Sequence, residues 1–211
     1  MNLKNGLLLF ILFLDCVFFK VESKCVKGCD LALASYYILP GVFILQNITT
    51  FMQSEIVSSN DAITSYNKDK ILNDINIQSF QRLNIPFPCE CIGGEFLGHV
   101  FEYTTKEGDD YDLIANTYYA SLTTVELLKK FNSYDPNHIP VKAKINVTVI
   151  CSCGNSQISK DYGLFVTYPL RSDDTLAKIA TKAGLDEGLI QNFNQDANFS
   201  IGSGIVFIPG R

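Results

Sequence analysis

Cysteine placement constrains this chain more than any other feature. Of its seven cysteines, Cys16 lies in an N-terminal apolar run from Gly6 to Phe19 that follows Lys4 and is broken only by Asp15 and Cys16 itself. Val21 and Ser23 then occupy the −3 and −1 positions of a cleavage site, so residues 1–23 read as a secretory signal peptide. The run is shorter than the about 20 apolar residues that a membrane span needs. Its removal leaves Cys25, Cys29, Cys89, Cys91, Cys151 and Cys153. An even number of cysteines in an exported chain reads as three disulfides. Zinc is disfavoured, because Cys-x-Cys spacings and the scattered His99 and His138 do not match usual ligand spacing. No metal and no cofactor is expected.

The two Cys-x-Cys pairs lie 62 residues apart (151 − 89), and that interval recurs elsewhere. Asp110 is placed to cap a helix with an apolar face of Tyr111, Ile114, Ala115 and Tyr118. Thr123 and Glu126 form a capping box for a second helix, whose Leu128 and Phe131 face inward and which Asn132 closes. Ile145, Val147 and Val149 then alternate as a half-buried strand. In the last third, Thr175 stands where Asp110 stood; Leu176, Ile179, Ala180 and Ala183 repeat the first helix; Ile190, Phe193 and Asn194 repeat the second; and Ile205 to Pro209 closes the unit. The first third keeps Ile48, Phe51 and Met52, then Ile63, Tyr66 and Asn67, then Ile85 and Phe87. The recurring asparagine falls at 67, 132 and 194, a period of 65 and then 62 residues (132 − 67; 194 − 132). Its expected role is to turn the chain at a helix end. Opening strands are expected at Val42 to Leu45, Val100 to Thr104 and Phe165 to Tyr168.

The fold class is therefore α+β, with three βααβ modules. The divisions are 1–23 signal peptide, 24–40 N-terminal cysteine segment, 41–88 first module, 89–99 Cys-x-Cys linker, 100–150 second module, 151–164 second linker and 165–211 third module. Modules of this size bury little core and are marginal alone. Residues i and i+2 of an extended segment point the same way and are poorly placed to bond each other. The cysteines of each pair should therefore reach partners elsewhere. Many connectivities remain open, but bridges between modules and a compact packing are favoured.

Net charge is −5, from 17 basic and 22 acidic residues, with no basic cluster. This disfavours nucleic acid and anionic lipid as electrostatic partners. A neutral polar ligand fits better. Three sequons, at Asn47, Asn146 and Asn198, agree with export and mark candidate glycan carriers.

The repeat columns, the two Cys-x-Cys segments, the stretch Cys25-x-x-x-Cys29-Asp30-Leu31-Ala32-Leu33-Ala34-Ser35-Tyr36-Tyr37 and the Phe-Ile-Pro-Gly ending together resemble the ectodomains of plant LysM receptor-like kinases. The chain is similar to chitin elicitor receptor kinases and looks closest to legume Nod-factor receptors with an active kinase. The resemblance implies three LysM modules joined by disulfides Cys25–Cys91, Cys29–Cys153 and Cys89–Cys151. It also implies a parent protein at the plasma membrane, with this portion outside, a single transmembrane helix and a serine/threonine kinase beyond Arg211. The ligand implied is a chitin-type oligomer or a lipochitooligosaccharide, and the implied protein partner is a second LysM receptor.

In the chitin receptors two loops of the second LysM bind N-acetylglucosamine oligomers. The matching segments here are Glu107, Gly108, Asp109, Asp110, Tyr111, Asp112 and Leu113, and then Asp135, Pro136, Asn137, His138, Ile139, Pro140 and Val141. Val125 and Ile139 would supply an apolar surface for an acetyl methyl. Gly108 falls where those receptors carry glutamate, and Pro136 where they carry alanine. The first LysM is implied to separate lipochitooligosaccharide from chitin through stretches matching Gly41 to Met52 and Asn73 to Arg82, the second of which holds Ile75, Ile77 and Phe80.

Residue chemistry gives less support to an enzyme. Asp109 and Asp110 are a candidate glycosidase pair, yet both open a helix, where acids cap and meet the helix dipole. Glu90 and Glu95 read as solvated charges, and neither histidine accompanies a nucleophile motif. The expected function is recognition of a glycan by a receptor ectodomain that is not itself an enzyme. An immune chitin receptor is the alternative, and a secreted chitin hydrolase a more distant one.

Overall fold

The computed structural model describes residues 25–40, 44–71 and 77–210; the expected signal peptide lies outside them. Strands and helices alternate as β1 (Cys29–Tyr37), α1 (Leu45–Phe51), α2 (Asn60–Ser65), β2 (Arg82–Ile92), β3 (Phe96–Thr104), a π-helical segment (Leu113–Tyr118), α3 (Val125–Phe131), β4 (Lys144–Ile150), β5 (Phe165–Pro169), α4 (Leu176–Ala183), α5 (Glu187–Phe193) and β6 (Ile205–Pro209). These are three βααβ repeats. Within each, the two strands pair antiparallel.

The repeats share one six-stranded sheet in the order β4-β3-β2-β1-β5-β6. The expected linker at 89–99 is part of that sheet: β2 runs on to Ile92, turns through Gly93 and Gly94, both at positive φ, and returns as β3. β1 pairs with β2 on one side and runs parallel to β5 on the other, which fastens the third repeat to the first. The opening strand of the first repeat is therefore β1, within the cysteine segment, and not Val42 to Leu45. Leu45 begins α1 after an exposed Ile44; Val42 and Phe43 lie outside the described residues.

Two apolar clusters form the interior. The larger merges the first and second repeats, through Ile48, Ile63, Leu83 and Phe87 with Phe101, Ile114, Leu128 and Val147. The smaller belongs to the third repeat and is centred on Ile179, Ile190, Val206 and Ile208. Cys25 bonds Cys91, Cys29 bonds Cys153 and Cys89 bonds Cys151, the pairs that the resemblance implies. All three close long loops, and two tie one repeat to the segment after another.

The recurring asparagines do more than end a helix. Each donates Nδ2 to the carbonyl four residues back (Ile63, Leu128, Ile190) and to a carbonyl of the closing strand (Asn84, Asn146, Phe207). Each Oδ1 accepts the N–H of that same strand residue. One side-chain amide thus imitates a neighbouring strand and stitches the second helix of its repeat to the sheet. Asn132 and Asn194 have negative φ, so no left-handed turn is involved.

Side chains complete the joints between repeats. Phe51 stacks on Tyr118 with ring centroids 5.1 Å apart and meets Tyr103 edge-on at 5.8 Å. The Tyr119 hydroxyl donates to the Phe51 carbonyl at 2.9 Å. On the other side Arg82 of the first repeat reaches the third. It donates to the Pro169 carbonyl at 2.7 Å and Asp174 Oδ2 at 3.0 Å, while its guanidinium lies 3.8 Å from the Tyr168 ring centroid. Among the described residues no helix is long and apolar enough to cross a membrane.

Candidate functional site

The two loops singled out in the second repeat, one before its helices and one after them, meet at Thr105. Thr105 N donates to the Ala143 carbonyl and its Oγ1 to the Pro140 carbonyl, at 2.9 and 2.6 Å. Lys142 N and Ala143 N donate back to Thr105 O and Oγ1, both at 2.9 Å. Higher up, Tyr111 N donates to the Pro136 carbonyl at 3.4 Å. Residues 105–113 and 134–143 therefore form one ridge.

Asp109 sets the first loop from beneath. Its carboxylate accepts the Tyr103 hydroxyl at 2.7 Å, the Tyr118 hydroxyl at 3.0 Å and Lys106 N at 2.6 Å. Burial, then the bond to Asp109, push the Tyr103 hydroxyl well above the ordinary tyrosine range, so it remains a donor. The third repeat uses the same arrangement, with Asp174 accepting from the Tyr168 hydroxyl and Arg171 N. A tyrosine six residues before an aspartate is common to both, a sequence signal that went unread. Asp110 caps the following helix, accepting from Leu113 N at 2.7 Å.

The candidate residues thus divide by position. Asp109 and Tyr111 are buried and internally bonded. Asp110, Leu113, Pro136 and Ile139 are half-buried, and Ile139 packs on the core along with Val125. Glu107, Gly108, Asp112, Asp135, Asn137, His138, Pro140 and Val141 are exposed and form the outer face. Val141 adds an exposed apolar side chain to this polar rim. Gly108 has φ +86° with open space where a Cβ would stand. A side chain there fits sterically, but the backbone conformation favours glycine.

The helix behind the first loop departs from the expected face. Between Leu113 and Tyr118 the turns are π-helical, and the wider turn carries the apolar stripe one residue further on. Tyr119 is consequently the fully buried tyrosine, and Tyr118 stays half-buried with its hydroxyl on Asp109. Likewise the cap of α3 is Thr124, whose Oγ1 accepts from Leu127 N, and not Thr123, whose buried hydroxyl lacks a partner among the described residues. Hydrogen bonding at the backbone amide of Glu126, and then with the Thr124 side chain, holds the Glu126 carboxyl below its usual range.

Elsewhere, the sequon residues Asn146 and Asn198 are exposed, and Asn47 is half-buried within α1. Glu90 pairs with His99 and Glu95 with Lys130 at the surface. The sulfurs of Cys29, Cys89 and Cys153 lie within 4.8 Å of one another, but all are in disulfides and offer no thiolate to a metal. Of the stretch around Ile75, Ile77 packs on the core and Phe80 is exposed; Ile75 lies outside the described residues.

Comparison with known proteins agrees with this architecture. A LysM domain model matches residues 166–209, and the LYK3/4/5 LysM2 domain model matches residues 96–149. LysM domain receptor-like kinase 3 of Medicago truncatula is 86% identical over 213 residues, covering 100% of this chain and 34% of that protein. Chitin elicitor receptor kinase 1 of Arabidopsis thaliana is 45% identical over 214 residues, with the same coverage of both. The chain thus spans about a third of the length of these curated relatives. The crystal structure of the LYK3 ectodomain superposes with a TM-score of 0.85 at 84% identity, covering 89% of this chain and 93% of that one. The ectodomain of a receptor like kinase superposes with a TM-score of 0.84 at 44% identity, covering 89% and 94%.

Proposed function

The chain belongs to the LysM receptor-like kinase family, and from that premise we propose that it is the extracellular ligand-binding part of a plasma-membrane receptor for N-acetylglucosamine-based oligosaccharides, lipochitooligosaccharide Nod factors foremost. The observation that carries the reading is the ridge of the second repeat. Two loops are fixed edge to edge by main-chain hydrogen bonds and the Thr105 hydroxyl, the first is set from beneath by a buried carboxylate, and they present polar groups with an exposed Val141. A neutral amide-bearing sugar needs that combination of preformed hydrogen-bonding groups and apolar surface. In the same reading, ligand brings this ectodomain together with a second LysM receptor and so brings kinases together across the membrane. Sedimentation with and without ligand, alone and with a partner ectodomain, tests that step; no ligand-dependent association in either case contradicts it.

Hydrogen exchange during titration with an N-acetylglucosamine oligomer tests the site. Slower exchange in residues 107–113 and 135–141 is expected. Binding that leaves both segments unchanged contradicts the assignment. A second reading, a chitin oligomer receptor in immunity, is favoured by the 45% identity to a protein named for chitin elicitor reception. A hydrolytic role for Asp109 and Asp110 is disfavoured, because one carboxylate is buried under two tyrosine hydroxyls and the other caps a helix.

A further inference from the structure

A groove of about 850 Å³ lies between the first and third repeats, away from the ridge just described. Its apolar lining includes Val166, Ile179, Leu185 and Ile208. Lys70, Arg171 and Lys182 also line it, and among the described residues none of the three forms an ion pair. Arg171 rests on the Tyr37 ring, 3.8 Å from its centroid. Arg82 and Asp174 neutralise each other. Among the described residues Asp173 is then the one lining carboxylate left against three cations, in a chain whose net charge is −5. Gln81, also in the lining, has a buried side-chain amide nitrogen without a hydrogen-bond partner among the described residues.

A peptide could add a strand at one lining strand alone. β1, β2 and β5 are paired on both sides, and β6, the sheet edge, is the lining strand with a free ladder. A hydrocarbon chain needs no such bonds, and the volume is within the range of small-ligand pockets. We propose that this groove binds a long-chain fatty-acid carboxylate, with its hydrocarbon along Phe80, Val166 and Leu185 and its carboxylate among Arg171, Lys182 and Lys70. The site is distinct from the glycan ridge, and its occupancy does not depend on the glycan reading.

Calorimetric titration of the disulfide-intact chain with palmitate below its aggregation concentration, beside palmitic acid methyl ester, is the test. Saturable single-site binding of palmitate is expected, with the ester weaker by about tenfold, equivalent to ~1.4 kcal/mol. The double variant Lys70→Glu, Lys182→Glu changes a half-buried and an exposed side chain and is expected to weaken palmitate by at least a similar factor without altering thermal unfolding. Ala183→Trp, at an exposed lining position of α4, fills the groove and abolishes binding, while the far-ultraviolet circular dichroism stays unchanged. Absence of saturable palmitate binding overturns the proposal. So does equal affinity for acid and ester, or full binding by a folded Ala183→Trp variant.

Discussion

Replacing each recurring asparagine by alanine should produce three unequal losses of stability, because the same amide stitch sits in three environments. Asn67 is fully buried, with donor and acceptor distances to Ile63 and Asn84 all at 2.8 Å. At about 1 kcal/mol net per neutral hydrogen bond, its three bonds contribute about 3 kcal/mol. Water cannot readily re-pair what the truncation leaves behind. Asn132 makes the same three bonds, but its strand partner Asn146 is exposed, and water can replace two of them. About 1 kcal/mol is expected there. Asn194 is 8% exposed and should fall between. For a domain of this size each kcal/mol moves Tm by about 2–4 °C, so Asn67→Ala should lower it by about 6–12 °C and Asn132→Ala by about 2–4 °C. Urea unfolding under non-reducing conditions, read as the midpoint at constant m, measures the order. Asn67→Asp should be at least as costly as alanine, since it turns an acceptor toward the Ile63 and Asn84 carbonyls. Three equal losses, or Asn132 the costliest, would refute the reasoning.

The other predictions concern the joints and the buried hydroxyls. Arg82→Met should destabilise by about 3–5 kcal/mol, since it strands the buried Asp174 carboxylate; Arg82→Met combined with Asp174→Asn should recover part of that, and a double-mutant cycle by thermal unfolding reads the coupling. Cys29→Ser with Cys153→Ser opens a 124-residue loop and should cost up to about 5 kcal/mol in chemical unfolding. Burial raises the Tyr36, Tyr103, Tyr119 and Tyr168 hydroxyls above their usual pKa. Their contribution is therefore fully present below about pH 10, where unfolded tyrosine titrates, and declines as pH rises further. Each should steepen that decline by up to about 1.4 kcal/mol per pH unit, and Tyr119→Phe should flatten it in alkaline unfolding.

How far these features were legible depends on which ones repeat. The helical columns and the 62-residue offset of the Cys-x-Cys pairs led to three modules and to bridges between them. β1 escaped because alternation is a signature of strands with one wet face. β1 lies between two other strands, and its run Ala32 to Tyr36 is buried on both faces, so it read as a cysteine-bearing segment. The π-helical turn was hidden because Tyr111, Ile114 and Ala115 fit an ordinary helix as well; only the next position, Tyr118 or Tyr119, separates the two. Adjacent Thr123 and Thr124 made the cap ambiguous by one residue. At the site, the loops followed from family resemblance. Tyr111 already lay on the expected apolar face of the helix, but that Asp109 turns inward depended on Tyr103 and Tyr118, residues which the spacing of the loop itself does not mention.

The central claim is recognition of an acylated N-acetylglucosamine oligomer. It is tested most directly by titrating this ectodomain with a lipochitooligosaccharide beside an unacylated chitin oligomer of equal sugar length. Saturable binding of both, with the acylated ligand tighter, is the predicted result. Equal affinity contradicts the symbiotic reading, and binding of neither contradicts the glycan receptor altogether.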